Sequence, residues 1–356
     1  MEKLKKILMQ FDIPDEIIKI EVISNGFINS TYKVIGDKNS YIFQKININV
    51  FPNVDNLMHN VKLVTEHIYR KTGKGMYVIP TKNGKTYLRC EDDFYRVYNF
   101  VENSKAYNSA ENADMFKLAG IGFGKFQNDL ADFDATLLLD VIANFHNTVN
   151  RLENFREAVK LNAVGRVKQA ESEIAFLEEK SDLAHVICDL LDDGTLPFRV
   201  THNDTKLNNI LFDNQTNEPI CAIDLDTVMK GSVLYDFGDA IRYGANPAGE
   251  LGDGAPIPLI DMDLYAAFLD GFLSETHSIL SDDELSLLAD GVAVITYEQA
   301  LRFLEDYLRG DVYYGEAFKD INLIRAKVQI ALLKDILAKM PELKNITKQY
   351  CKKYNR

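Results

Sequence analysis

Along the first hundred residues, apolar side chains come in short runs broken by Gly, Asn and Asp; after them, apolar positions recur at helical spacing. The β-branched or aromatic runs Ile18–Val22, Thr31–Val34, Ser40–Gln44, Thr86–Leu88 and Phe94–Phe100 read as strands. Between the third and fourth, Leu57, Val61, Val64 and Ile68 stand at i, i+4, i+7 and i+11, which predicts a helix from about Asn53 to Lys71. Past Val101, helical spacing covers Ala110–Asp132, Leu137–Phe155, Arg166–Leu191, Asp261–Leu273, Asp282–Gly310 and Leu323–Met340. The acids of Asp282-Asp-Glu284 fall in a first turn, where the helix dipole favours them. One stretch near 200–226 breaks the run: the apolar segments Asn209–Phe212 and Ile220–Leu225 flank a polar turn and predict a hairpin. Pro247–Pro258, rich in Pro and Gly, reads as a loop. The expected fold class is therefore α+β in two lobes. Residues 1–101 form a small antiparallel sheet with one helix, and residues 102–356 a larger, mostly helical lobe.

A chain of 356 residues is long enough for two lobes with a substantial core. Its net charge of -13 argues against a nucleic-acid or anionic-membrane partner. The same charge means that a phosphate-bearing ligand needs local cations or amide dipoles working against the global field. Cys90, Cys188, Cys221 and Cys351 show no metal-type spacing, so neither disulfides nor a zinc site are expected, and a reducing cytoplasm is the default. The charged start Met1-Glu-Lys-Leu-Lys-Lys lacks the apolar core of a signal peptide, and no apolar run approaches the ~20 residues needed to span a bilayer. The basic segment Lys344–Arg356 reads as a solvated helix end.

The candidate chemistry lies in Val200–Phe212. An Asp (Asp204) follows His202 by two residues, Lys206 follows Asp204 by two, and Asn209 follows Asp204 by five. Fifteen residues beyond Asn209 comes Asp224, at the end of the second apolar run of the hairpin. That is the spacing of H-R-D-x-K-x-x-N and D-F-G in the protein-kinase signature. Phosphoryl transfer asks mainly for positioning and charge neutralisation, which explains these residue types. A loop carboxylate, Asp204, can accept the proton of an attacking hydroxyl. Asn209 and Asp224 offer the few oxygen ligands that Mg²⁺ accepts alongside phosphate oxygens. Lys206 can reach the transferred group as a point charge. A literal D-F-G at Asp236–Gly238 lies 27 residues past Asn209, away from the hairpin. Asp236 and Asp239 are therefore read as structural, one of them capping a helix Ala240–Tyr243.

An ATP site of this kind needs partners in the first lobe. Asn25-Gly26, between two strand runs, is a candidate phosphate-covering turn. Gln44 and Lys45 occupy the strand where a kinase keeps a phosphate-gripping Lys, and as neighbours they point to opposite faces. Tyr98–Glu102 ends the sheet where a hinge would present backbone to adenine, making Phe100 and Glu102 candidates.

With these motifs in place, the chain resembles the aminoglycoside phosphotransferase and choline kinase superfamily, small-molecule kinases on a protein-kinase-like fold. Phe51–Val61, Val200–Leu211, Ile223–Thr227 and Tyr235–Asp239 are similar to the N-acetylhexosamine 1-kinases within it, and the resemblance spans nearly the whole chain. The resemblance implies Asp204 as base, and Asn209 and Asp224 as Mg²⁺ ligands. It also implies a sugar site at Asp204, Asp224, Thr227, Tyr243, Arg302 and Tyr313, with Phe27 reaching over from the first lobe where the family pattern would place an imidazole. Such residues suit a hexosamine: hydroxyls for Asp and Thr, an amide carbonyl for Arg, and a methyl for aromatic walls. Taken alone, Arg302 on its apolar helix could equally be an ion-pair partner.

The expectation is a monomeric, cytoplasmic enzyme that uses ATP and Mg²⁺ to phosphorylate the anomeric hydroxyl of N-acetylglucosamine or N-acetylgalactosamine. The alternative within the fold is another hydroxyl acceptor: an aminoglycoside, choline, homoserine or methylthioribose. A nucleotide-binding protein without transfer activity is the alternative from another class.

Overall fold

The computed structural model describes residues 2–23, 28–254 and 257–355. The first lobe opens with α1 (Glu2–Leu8), followed by β1 (Ile17–Ile23), β2 (Ser30–Gly36), β3 (Ser40–Ile46), α2 (Val54–Thr72), β4 (Val78–Ile79), β5 (Leu88–Cys90) and β6 (Asp93–Asn99). The strands form one antiparallel sheet in the order β1-β2-β3-β6-β4, with β5 also paired to β6. α2 starts where Asn53 accepts the amide of Asn56 and stops at Gly73, whose φ of 68° suits a residue without Cβ. Its buried stripe of Leu57, Val61 and Val64 is the predicted one.

The pleat of the sheet sorts side chains between two cores. Tyr41, Phe43, Tyr95 and Val97 pack outward with Ile7, Leu8 and Phe11 under α1. Ile46 and Tyr98 face inward with α2 and join the large core of the second lobe. Gln44 and Arg96 are register partners, and so are Lys45 and Tyr95. Gln44 and Arg96 therefore share the inward face, and Lys45 the outward one.

In the second lobe, β7 (Ser104–Lys105) pairs with β9 (Ile210–Asp213), which forms the predicted hairpin with β10 (Pro219–Ala222). β8 (Arg199–Thr201) pairs with β11 (Met229–Gly231). The helices are α3 (Ala113–Asp129), α4 (Thr148–Leu161), α5 (Glu171–Glu179), α6 (His185–Asp192), α7 (Val233–Gly244), α8 (Met262–Thr276), α9 (Asp282–Arg309) and α10 (Ile321–Lys353). α9 begins with a full capping box between Ser281 and Glu284.

Three helical expectations are corrected. Leu137–Phe155 is not one helix: α4 starts only at Thr148, because α2 holds the preceding segment extended. Asn60 donates to Leu139 O at 2.7 Å and Asn56 to Asp140 O at 2.9 Å. Arg166–Leu191 is not one helix: it opens with a tight turn at 167–170, and a second at 181–184 separates α5 from α6. The helix expected to end at Met340 runs through Pro341 to Lys353, and its basic end is docked rather than solvated: Lys353 and Tyr354 both reach Asp270. Among the described residues, no helix is long and apolar enough to cross a membrane.

Candidate active site

The 200–212 loop is suspended from α7. Asp236 accepts the backbone N–H groups of His202 and Asn203 at 2.9 and 2.8 Å, and the side chain of Gln127 at 2.9 Å. Asp239 accepts Thr205 N, and Thr205 donates its hydroxyl to Asp236 O. Neither carboxylate caps a helix, contrary to the sequence reading, because α7 already begins after Ser232 and both lie inside it. His202 is fully buried, edge-on to Phe123 and Phe126, and its Nε2 meets Ile223 O at 2.8 Å. A carbonyl only accepts, so Nε2 carries the proton. This bond ties the loop to the strand end that leads into Asp224.

Asp204 emerges from that support with 27% of its side chain exposed, and its Oδ1 lies 2.8 Å from Lys206 Nζ. Asn209 donates to both the carbonyl and Oδ2 of Asp204, at 2.8 and 3.1 Å. Burial weakens the Lys206 charge, but the Asp204 carboxylate, then Asp239 and Glu250, outweigh it and hold the ammonium protonated well above its usual range. Asp224 sits in the left-handed region at φ 59°, immediately before the tight turn Leu225–Thr227. The residue is exposed to solvent. Burial, then Asp226 and Asp204, raise its pKa well above the usual carboxylate range, against Arg96 and Lys206. Because of that exposure, the crowding of three carboxylates is the firmer cause.

The other predicted positions fall into three groups. Asn25, Gly26 and Phe27 lie outside the described residues. On the first lobe, Gln44 faces the cleft and bonds Thr31 Oγ1 at 3.0 Å. Lys45 does not: it points outward, 42% exposed and ion-paired to Asp93 at 2.8 Å. That removes it from the candidate nucleotide contacts, because the pleat puts Lys45 and Gln44 on opposite faces. Phe100 lies under Lys33 Nζ, 3.8 Å from the ring centroid, and its amide is already committed to Ser40 O, while Glu102 is exposed in the following turn.

The third group belongs to the second lobe. Thr227 donates its hydroxyl to His202 O at 2.8 Å. The ring of Tyr243 lies 5.8 Å from Lys206 Nζ. Arg302, 12% exposed, stands between Phe145 and Tyr314, its guanidinium 5.1 and 5.8 Å from their centroids. Burial lowers the affinity of Arg302 for its proton, but Tyr314, Glu298 and Tyr313 more than restore it. Tyr313 is 61% exposed and packs edge-on against Tyr314 at 4.8 Å. Glu298 carries His146 at 3.0 Å and Arg302 at 3.9 Å.

Sequence reasoning missed Arg96, Asn29, Tyr314 and the Glu298–His146 pair. Asp226, two residues after Asp224, offered a signal in its spacing. Arg96 offered none beyond a charge inside an otherwise apolar strand, and its importance comes from a partner 130 residues away.

Comparison with known proteins gives the fold and the family. The chain is similar over its length to an aminoglycoside phosphotransferase from Alicyclobacillus acidocaldarius, at 14% identity and a TM-score of 0.66, covering 97% of this chain and 96% of that one. It is similar to a microcompartment-associated aminopropanol kinase at 15% identity and a TM-score of 0.64, covering 95% and 98%. A choline kinase from Cryptosporidium parvum gives 14% identity, a TM-score of 0.60 and coverage of 98% and 99%. At these identities the likeness establishes the fold, an antiparallel first lobe on a helical second lobe. Residues 19–256, about two thirds of the chain, match the sequence profile of APH, the phosphotransferase enzyme family, and the protein belongs to that family.

Proposed function

We propose that this protein is an ATP-dependent small-molecule kinase that phosphorylates the anomeric (C1) hydroxyl of an N-acetylhexosamine, N-acetylglucosamine or N-acetylgalactosamine, to give the 1-phosphate. The observation that supports the reading is the grouping of Asp204 with Lys206 and Asn209, with Asp224 near enough to feel the charges of Asp204 and Lys206. Asp204, held by Asn209 and Lys206, accepts the proton of the attacking hydroxyl and orients its oxygen. Lys206 places a positive charge beside the transferring phosphoryl group. With Asn209 Nδ2 turned to Asp204, its carbonyl oxygen is left for a cation. That oxygen and the carboxylate of Asp224 are donors of the kind a hard divalent ion takes alongside phosphate oxygens. Asn209 and Asp224 would hold Mg²⁺, which when bound neutralises charge on the nucleotide phosphates.

For the acceptor, Arg302 weighs most. A guanidinium between two aromatic rings repels a cationic acceptor and can donate to an amide carbonyl, while Tyr243, Tyr313 and Tyr314 offer walls to a ring and an acetyl methyl. A second reading, an amine-bearing acceptor such as an aminoglycoside or choline, rests on the net charge of -13. The test is ADP release with Mg·ATP across N-acetylglucosamine, N-acetylgalactosamine, glucosamine, galactose, choline, homoserine and kanamycin. Turnover confined to the N-acetylated sugars is expected, with Asp204→Ala slower by about 100- to 10,000-fold. Turnover only with amines would keep Asp204 as base and sink the sugar assignment; none with any acceptor would favour binding without transfer.

A further inference from the structure

Arg96 lies in the middle of β6 with 1% of its side chain exposed, on the face that looks onto α2 and the cleft. Its Nε donates to Gln44 Oε1 at 2.9 Å. Its Nη1 and Nη2 reach the two oxygens of Asp226 at 2.6 and 2.8 Å. Asn29, just before β2, donates to the same Asp226 oxygen at 2.7 Å. Two side chains of the first lobe, Arg96 on β6 and Asn29 just before β2, thus meet one carboxylate of the second lobe, two residues after Asp224, while Gln44 on β3 holds Arg96 from behind. Taking a charge pair out of water is costly, and an apolar pair of the same size would hold the lobes together as well or better. A purely cohesive role therefore does not account for it.

The surroundings indicate another. A protein kinase places a strand Lys, paired to a helix Glu, against the nucleotide phosphates. Here the strand position is the uncharged Gln44, and α2 sets Met58 Sδ 3.9 Å from Nη1. Lys45 faces outward. Lys33 lies at the hinge end of the cleft, over Phe100. Arg96 is the charge that the sheet sets beside the turn of Asp224.

We propose that Arg96 is a positioning residue for phosphoryl transfer. Through Asp226 it fixes the turn carrying Asp224 against the first-lobe sheet, and so sets where the phosphates of a nucleoside triphosphate lie relative to Asp204. A planar guanidinium that donates to one Asp226 oxygen and to Gln44, with Nη1 2.6 Å from the other oxygen, constrains direction as well as distance, which a lysine cannot do. The inference rests on the kinase reading above but not on the identity of the acceptor.

The test compares the full-length protein with Arg96→Gln, Arg96→Lys and the double variant Arg96→Met/Asp226→Leu, in which apolar side chains replace the pair without leaving a buried charge. The readouts are Mg·ADP binding by calorimetry, and kcat and KM for ATP and acceptor. Arg96→Gln is expected to weaken Mg·ADP binding and lower kcat about 100-fold, the scale of a small misplacement, with KM for the acceptor unchanged. Arg96→Lys should recover part of the loss, and the double variant should fold yet be as slow as Arg96→Gln. A double variant that binds Mg·ADP and turns over like the parent would overturn the proposal. So would an Arg96→Gln protein with a lowered Tm but full kcat below its transition. If the parent turns over no acceptor, the functional reading fails separately: the Arg96 inference then stands or falls on whether the isotherms of the variants match the parent's.

Discussion

Two backbone N–H groups of the 200–212 loop, those of His202 and Asn203, end on the carboxylate of Asp236. Burial raises the pKa of that carboxylate, against the pull of His202 and of the two loop amides. The group is thus costly to keep in the interior, and it is kept where it shapes the loop beneath Asp204. In Asp236→Ala both amides lose their acceptor in a site closed to water, at about 1–3 kcal/mol for each unsatisfied group. The expected result is a clearly lower midpoint in urea. A fall in kcat under conditions where the variant is folded should accompany it, since Asp204 is then no longer held. A variant as stable as the parent would show that water replaces the carboxylate.

At the scale of elements, α3 and α8 approach so closely that glycine is required at the crossing. A Cβ on Gly271 would stand 2.0 Å from Lys117 O, and one on Gly120 2.2 Å from Phe268 O. Backbone cannot yield as a flexible side chain can, so Gly271→Ala should force the helices apart. A loss of about 1–3 kcal/mol or more is expected in chemical denaturation. The same helix is tied to both α3 and α10 through Asp270, which meets Lys117 at 2.8 Å and also receives Lys353 and Tyr354. Burial pushes the Asp270 carboxyl up, but Lys117, Lys353 and Tyr354 outweigh it and leave it below its usual value of 3.8. The folded state then binds this proton less readily than the unfolded chain. The tie therefore contributes fully above the unfolded pKa and is lost as pH falls through the lower, folded one. Thermal unfolding from pH 7 downward should show Asp270→Asn less stable than the parent at neutral pH, with the gap closing below about pH 4. A gap independent of pH would mean that the contact acts through packing alone.

Across the whole molecule, the lobes share an apolar core through α2, Ile46 and Tyr98, and some of the polar contacts between them fall close to the candidate metal residues. Asn29 and Arg96 reach Asp226, and Asn60 on α2 reaches Val228 O at 2.8 Å. A nucleotide bound between the lobes would be held by the folded state only, so Mg·ADP should raise the apparent stability by mass action. The gain is about 2.7 kcal/mol at a ligand concentration 100 times Kd. A thermal melt with and without Mg·ADP measures it, and an unchanged Tm at saturating concentrations would contradict nucleotide binding in this cleft.

Local pattern was enough for much of this. The period of Leu57, Val61 and Val64 is a property of α2 by itself, as is the capping box of α9, and both elements stand where the pattern puts them. The spacing of Asp204, Asn209 and Asp224 was also legible, because one loop and the hairpin after it carry all three within 21 residues. Where a long-range partner decides, the sequence was silent. The helix expected over Leu137–Phe155 starts late because Asn56 and Asn60 of a distant helix claim its carbonyls. Gln44 and Lys45 are indistinguishable in a strand until the sheet has a buried and an outer face. Arg96 acquires its meaning only from Asp226, since a single charge in a strand carries no sign of which carboxylate the folded chain will bring to it. Period and spacing are written along the chain, whereas facing and pairing are properties of the packed lobes.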